Sequence, residues 1–277
     1  MLGEYKKMKL GLYGGGFKPF TTGHFSKLAN AIRDNDNVYL FYGIQERKPP
    51  KIGKSGRPLK STQKFRGLGD TGRFYTPELS KDVFDIYERA IEREFPSVEV
   101  ESTIGTTPMR RIFEILEEFD ASPDMYDRVT VYGDIDTMRI YLRELRRYEN
   151  LVRMGKIQLG GAIPESIDDY LDSDRLKELM RRSESIAAHA LARYYDPDFN
   201  PDADEIPDEI LRMARVRGEE VRRFASAASS SDEAKRFLPP FLNDDEKQNV
   251  IDMLLGKQID SLRESDLRYF IRGMIRG

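Results

Sequence analysis

The chain has 277 residues, 34% of them charged and 39% hydrophobic; at about 150 residues per domain this makes two domains, or one large domain with additions. Lys and Arg total 45 against 48 Asp and Glu, a net charge of −3, so no global field draws the chain to nucleic acid or an anionic membrane, and any anion site is local. There is no cysteine and there are only two histidines, His24 and His189, which excludes a disulfide scaffold, thiol catalysis and thiolate metal sites and leaves little for a histidine-rich metal centre.

In chain order, Lys7 to Gly14 (KMKLGLYG) is a short apolar run ending in glycines, and a helical pattern follows from Thr22 to Arg33 through Phe25, Leu28, Ala29 and Ile32. Asn37 to Ile44 (NVYLFYGI) is apolar on both faces, as in a parallel sheet covered by helices. The two runs and the helix make one βαβ unit. Gln45 to Ser80 is basic and glycine-rich, too long for an ordinary connection, and is read as an irregular flap. The flap's cations either close over a polyanion or stay solvated.

A helix is expected from Ser80 to Glu94 with Ser80 as its cap, then a strand at Val98 to Glu101. Thr107 to Phe119 reads as an amphipathic helix, with Thr107 as cap, Pro108 in the first turn and Ile112, Phe113, Ile115 and Leu116 as the buried stripe. Arg128 to Tyr132 is a fourth strand, Asp136 to Tyr148 a helix and Lys156 to Leu159 a fifth strand. This alternation predicts an α/β fold: a Rossmann-like, doubly wound parallel sheet of about five strands over residues 1–162, the α/β core. A helical C-terminal region is expected over 163–277, with a helix at Asp172 to Tyr195, an acidic proline-punctuated linker to Asp208, and two or three helices broken at Pro239 and Pro240.

The stretch Gly14-Gly15-Gly16-Phe17-Lys18-Pro19-Phe20-Thr21-Thr22-Gly23-His24 lies between the first strand and the first helix, where a parallel sheet presents a ligand to unpaired N–H groups at a helix amino end. Glycines would let the backbone approach an anion, Gly23 would let the helix start pack on a nucleotide, and His24 would donate to a phosphate oxygen. A plain glycine-rich turn with an incidental histidine is the competing reading.

The joint pattern GxFxPFxxGH resembles the (H/T)xGH signature of the nucleotidylyltransferase superfamily, with Gly15, Phe17, Pro19, Gly23 and His24 at the family's spacing and Thr21 where many members carry a first histidine. Beyond that motif the layout is similar to phage-encoded cytidylyltransferase-like proteins, through the TTPMRRIFEIL helix, the VYGDID strand end and FLPPFLNDDEKQ. The resemblance implies transfer of a nucleoside monophosphate from ATP or CTP to a small phosphorylated acceptor, with release of pyrophosphate and with Mg²⁺ carried on the triphosphate. It further implies catalytic roles for His24, Thr21, Lys18 and Arg222, and nucleotide binding through Gly14, Gly15, Gly16, Phe17, Gly23 and Asp134.

The family's second motif, ISSTxxR, has its best match at Val216 to Arg222, where Arg217, Gly218 and Glu219 replace Ser-Ser-Thr; a merely charged surface helix is the alternative. Lys18 either faces the phosphates or is solvent-exposed, and Asp134 and Asp136 either overlook the crevice or cap a helix. His189 reads as structural. Asp196, Asp198 and Asn200 begin like a calcium loop, but Pro201 stands where glycine is required and Pro207 where the bidentate glutamate belongs. The resemblance is compatible with self-association and gives no nucleic-acid or membrane partner. No apolar run approaches the length that spans a bilayer, and the first ten residues lack the apolar stretch of a secretion signal, so the expected location is the cytoplasm, the host's if phage-encoded. The rival reading is a catalytically lapsed nucleotide-fold protein acting as a binding or structural component.

Overall fold

The computed structural model describes residues 7–44, 77–104, 106–133, 141, 143–160, 173–226 and 231–256. Five strands, β1 (Lys9–Gly15), β2 (Asn37–Gly43), β3 (Val98–Thr103), β4 (Arg128–Tyr132) and β5 (Ile157–Leu159), pair in parallel in the order β3-β2-β1-β4-β5. The fold is therefore the expected Rossmann-like α/β fold with a helical C-terminal region. Chain order reverses between β1 and β4, so the ligand crevice of such a sheet lies at their carboxyl ends, where Tyr13 is in register with Tyr132.

Period-two alternation along the strands feeds two cores. Tyr13, Val38, Leu40, Tyr42 and Tyr132 face α1 (Thr22–Asp34) and α2 (Pro77–Glu94), while Leu10, Leu12, Phe41, Val129 and Val131 face α3 (Pro108–Ala121) and the stretch from Tyr141 to Val152. That stretch ends in a 3₁₀ turn at Arg146–Tyr148 and the short helix α4 (Glu149–Arg153). In α3 Thr107 caps by accepting from Arg110 N–H, and Pro108 opens the first turn, as the sequence predicts. Its Phe113, expected in the buried stripe, is only partly buried.

Several boundaries differ from expectation. β1 extends through Gly15 and β3 through Thr103, because each continues its register with β2. Helix α2 begins at Pro77, so Ser80 sits fully buried in its first turn and is no cap; proline's fixed φ suits a helix start. Of the flap, 45–76 lies outside the described residues, as do Asp134 and Asp136 and the expected domain boundary at 162/163.

The C-terminal region has α5 (Ser173–Tyr195), α6 (Asp208–Arg215), α7 (Gly218–Ser226), α8 (Ser231–Arg236) and α9 (Asp244–Leu255). Among the described residues from Asp208 to Leu255 there are four short helices, where two or three were expected between Ile210 and Gly277. Helices α5 and α6 pack on α1, and α9 packs on α2. Among the described residues no helix is long and apolar enough to cross a membrane.

Candidate functional site

The glycine-rich stretch runs off the end of β1 and folds back on itself. The Phe17 ring lies so close over Gly15 that a Cβ there would overlap it, and Gly14 leaves only 3.0 Å between such a Cβ and Pro108 or Ile112. These two glycines therefore answer to side-chain packing, where the sequence reading had them yield to an anion; Gly16 is the exposed one. Phe17, expected at the nucleotide, is 4% exposed. Its ring is enclosed by Tyr13, Phe20, His24 and Tyr42, which leaves no open face for a base.

The amino end of α1 is not the open anion receptacle that the sequence suggests. Thr22 N–H donates to the Phe237 carbonyl at 2.9 Å, and the Thr22 hydroxyl donates to the Met213 carbonyl at 2.9 Å. Gly23, expected against a nucleotide, abuts the protein's own backbone: a Cβ there would overlap Val216 O and lie 3.1 Å from Ala214 O. The C-terminal helices supply the carbonyls that a phosphate would otherwise replace.

Thr21 is fully buried and caps α1. Its hydroxyl donates to the Val216 carbonyl at 2.9 Å and accepts from His24 N–H at 3.3 Å. A threonine hydroxyl has one hydrogen, and both the Val216 carbonyl and His24 Nδ1 lie 2.9 Å from this one, so Thr21, expected to be catalytic, is engaged within the fold and ties the two motif segments together.

His24 completes the cap. Thr21 N–H donates to its Nδ1 at 3.0 Å, which makes a reciprocal capping box with imidazole in the place of the usual carboxamide or carboxylate. Nδ1 also stands 2.9 Å from the Thr21 hydroxyl; as acceptor from Thr21 N–H it would leave the hydrogen of the neutral ring on Nε2. The imidazole is half-buried, held edge-on by Phe17 at 5.1 Å and tilted against Phe20 at 5.5 Å.

The two motif segments meet. Besides Thr21 to Val216, Arg222 donates from Nη1 to the Lys18 carbonyl. At Gly218 a Cβ would stand 2.5 Å from Lys18 O. Arg222 is 9% exposed. Expected to be catalytic, Arg222 uses Nη1 to hold the loop backbone. Lys18 is 5% exposed, which removes the solvent-exposed alternative. At the start of α7 the Glu220 carboxylate accepts from Arg217 N–H at 2.9 Å, so an acidic side chain occupies part of the helix end where the resemblance expects hydroxyls. Tyr132, the last β4 residue, is 2% exposed; its hydroxyl accepts from the Asn35 side chain at the carboxyl end of α1 at 2.9 Å, and burial and nearby Asp34 push its phenol pKa up.

Tyr42, Tyr87, Thr22 and Phe237 were not foreseen as part of this site. Both tyrosines lie in apolar stripes and read as core; only their hydroxyls, at positions otherwise filled by Val, Leu or Phe, hinted at a polar task. His189 donates from Nδ1–H to the Ser185 carbonyl, 2.7 Å away, and packs on Phe199. The calcium-like stretch forms local turns: Asp198 N–H donates to Asp196, Asp202 N–H to Asn200 and Asn200 N–H to Asp204. Among the described residues no three His, Asp or Glu side chains gather to hold a metal.

No protein-family model matches the chain, and no curated protein matches it either. Among solved structures, the crystal structure of NadR protein in complex with NAD and AMP-PNP is similar at a TM-score of 0.30 and 14% identity, over 92% of this chain and 81% of that one.

Proposed function

We propose that the chain binds a nucleoside triphosphate, ATP or CTP, at the carboxyl edge between β1 and β4 and transfers its nucleoside monophosphate to a small phosphorylated acceptor. The observation that carries this reading is the joining of two segments about 200 residues apart: Thr21 to Val216 at 2.9 Å, and Arg222 to Lys18. Those are the segments that the resemblance pairs, and they meet beside the sheet's switch point. An acceptor phosphate oxygen attacks the α-phosphorus, a new P–O bond forms, the α–β anhydride bond breaks, and pyrophosphate leaves with the electron pair. Mg²⁺ carried on the triphosphate, as the resemblance implies, would supply neutralisation of the phosphate charge. The protein's part is positioning and charge stabilisation, with His24 Nε2–H donating to the phosphate where negative charge grows.

The first test is calorimetry with ATP and with CTP in the presence of Mg²⁺, followed by a pyrophosphate-release assay on wild type and His24→Ala. Binding of one nucleotide, with turnover falling on the order of 10²- to 10³-fold in the variant, is expected. Absence of binding to both nucleotides would end this reading. A second reading, a nucleotide-binding protein without turnover, is favoured by the filled amino end of α1 and by Glu220 at the start of α7. It predicts binding with no pyrophosphate from wild type.

A further inference from the structure

The loop ahead of α1 is held at successive carbonyls by donors from three other elements. Tyr42, near the end of β2, donates its hydroxyl to the Phe17 carbonyl; Tyr87, in α2, donates to the Phe20 carbonyl at 2.9 Å; and Arg222 takes the Lys18 carbonyl between them. Both tyrosines are 1% exposed. Each also touches, ring to ring, the phenylalanine whose carbonyl it holds: Tyr42 and Phe17 at 5.6 Å, Tyr87 and Phe20 at 5.8 Å. Phe17 and Phe20 are the two rings against which the His24 imidazole rests, at 5.1 and 5.5 Å. The path from each tyrosine to the imidazole is thus one residue long.

We infer that Tyr42 and Tyr87 are positioning residues for His24: through Phe17 and Phe20 they fix the plane of the imidazole and, together with Thr21, hold its hydrogen on Nε2. This rests on the reading of His24 as the phosphate donor. A hydroxyl is needed because the Phe17 and Phe20 carbonyls lie in a buried loop, where an unpaired carbonyl is costly and the nearest relief is rotation of its peptide. Rotation of either peptide turns the attached ring, and the imidazole loses one wall of its seat. A phenylalanine at 42 or 87 fills the same core volume without that hold, so packing alone does not explain the tyrosines.

The test is the set Tyr42→Phe, Tyr87→Phe and, as control, Tyr148→Phe, a buried tyrosine of the core on the opposite face of the sheet. Two readouts are taken on the full chain: the imidazole ¹⁵N shifts of His24, assigned by their loss in His24→Ala, and the kcat and KM of pyrophosphate release. Wild type is expected to show the Nε2–H tautomer. In Tyr42→Phe and Tyr87→Phe the two nitrogen shifts should move toward each other, and kcat should fall about tenfold with KM for the nucleotide within about twofold, because a displaced donor affects the transition state more than ground-state binding. Tyr148→Phe should change neither. Tyr87 acts on a different carbonyl from Tyr42, so if Tyr42→Phe fails to fold, Tyr87→Phe decides alone. Wild-type nitrogen shifts in the folded tyrosine variants would overturn the inference, whatever their turnover. Shifts that move while even wild type releases no pyrophosphate would uphold the positioning and defeat the enzymatic reading.

Discussion

At the scale of single residues, the site is an interlock of two glycines. Gly23 in the first turn of α1 faces the Val216 carbonyl, and Gly218 at the start of α7 faces the Lys18 carbonyl. Each helix start therefore meets the loop that leads into the other. Alanine is the better helix former by about 1 kcal/mol, so on propensity alone Gly23→Ala and Gly218→Ala would stabilise. The overlap with a backbone oxygen, which no rotamer change relieves, is expected to win, with each variant losing about 2 kcal/mol. Because either methyl opens the same contact, the double variant should lose clearly less than the sum of the singles. Urea unfolding of the four proteins checks both points, and strict additivity would show that the contact is not shared. In the sequence, Gly23 was legible as a place of close approach, but its partner was misread as a nucleotide. A single chain read in order does not show that a carbonyl from residue 216 arrives there first. The same blindness explains Thr21: its type announced a hydrogen bond, and only the fold shows that Val216 receives it.

At the scale of elements, the strands and the first helices were legible because each is a short apolar run or a 3.6-residue stripe with a recognisable cap. Thr107 with Pro108 fixed the start of α3, and valine-rich RVTVY fixed β4 within a residue. The C-terminal helices were less so, since α6, α7 and α8 have six to nine residues each and owe their existence to packing against α1 and one another. One contact tethers this region to the sheet's covering layer. Arg93 at the end of α2 binds Glu246 in the first turn of α9 through two bonds, at 2.8 and 3.1 Å, and reaches the Phe241 carbonyl at 3.1 Å. Burial pushes the Glu246 carboxyl up, but hydrogen bonds from Arg93 and from Asn243 N–H, with the charge of Arg93, outweigh it and leave its pKa below the ordinary value. The stabilisation is therefore present above the ordinary carboxylate value and is lost as pH falls through the lowered one. Glu246→Gln keeps the acceptor and removes the charge. It should cost about 1 kcal/mol at pH 7, since half-exposed Arg93 screens the pair. The gap from wild type should close as both are titrated below the ordinary carboxylate value. Urea midpoints measured at intervals of pH give the curve, and a gap independent of pH would mean that the charge contributes nothing.

At the scale of the whole molecule, the core on one side of the sheet runs on into the C-terminal helices. The cluster that begins at Tyr13 and runs through Phe25, Leu28, Val83 and Tyr87 also contains Leu191, Val221, Phe237, Leu238, Phe241, Val250 and Leu254. Phe241 alone packs against Phe20, Phe25, Tyr87 and Phe95. The opposite cluster, by contrast, draws every member from residues 10–159. The end of the strand pattern after Gly161 reads in the sequence as a boundary between two parts at 162/163, yet the cluster spans both, because α1 and α2 need a second layer and, among the described residues, the later helices supply it. A fragment of residues 1–162 would leave the outer faces of α1 and α2 in water, including Phe25, which is fully buried in the intact chain. At about 1.5 to 3 kcal/mol for each large apolar side chain exposed, losing even five such contacts removes most of the 5 to 15 kcal/mol that holds a typical domain together. The fragment is expected to keep part of its helical circular dichroism while binding a hydrophobic dye and giving a collapsed amide spectrum. The full chain should unfold in urea in a single transition seen alike by tyrosine fluorescence and circular dichroism. Two separate transitions, or a fragment with a dispersed spectrum and no dye binding, would show that the sheet folds without its helical cover, and the closed amino end of α1 would then be a docking contact and no part of the core.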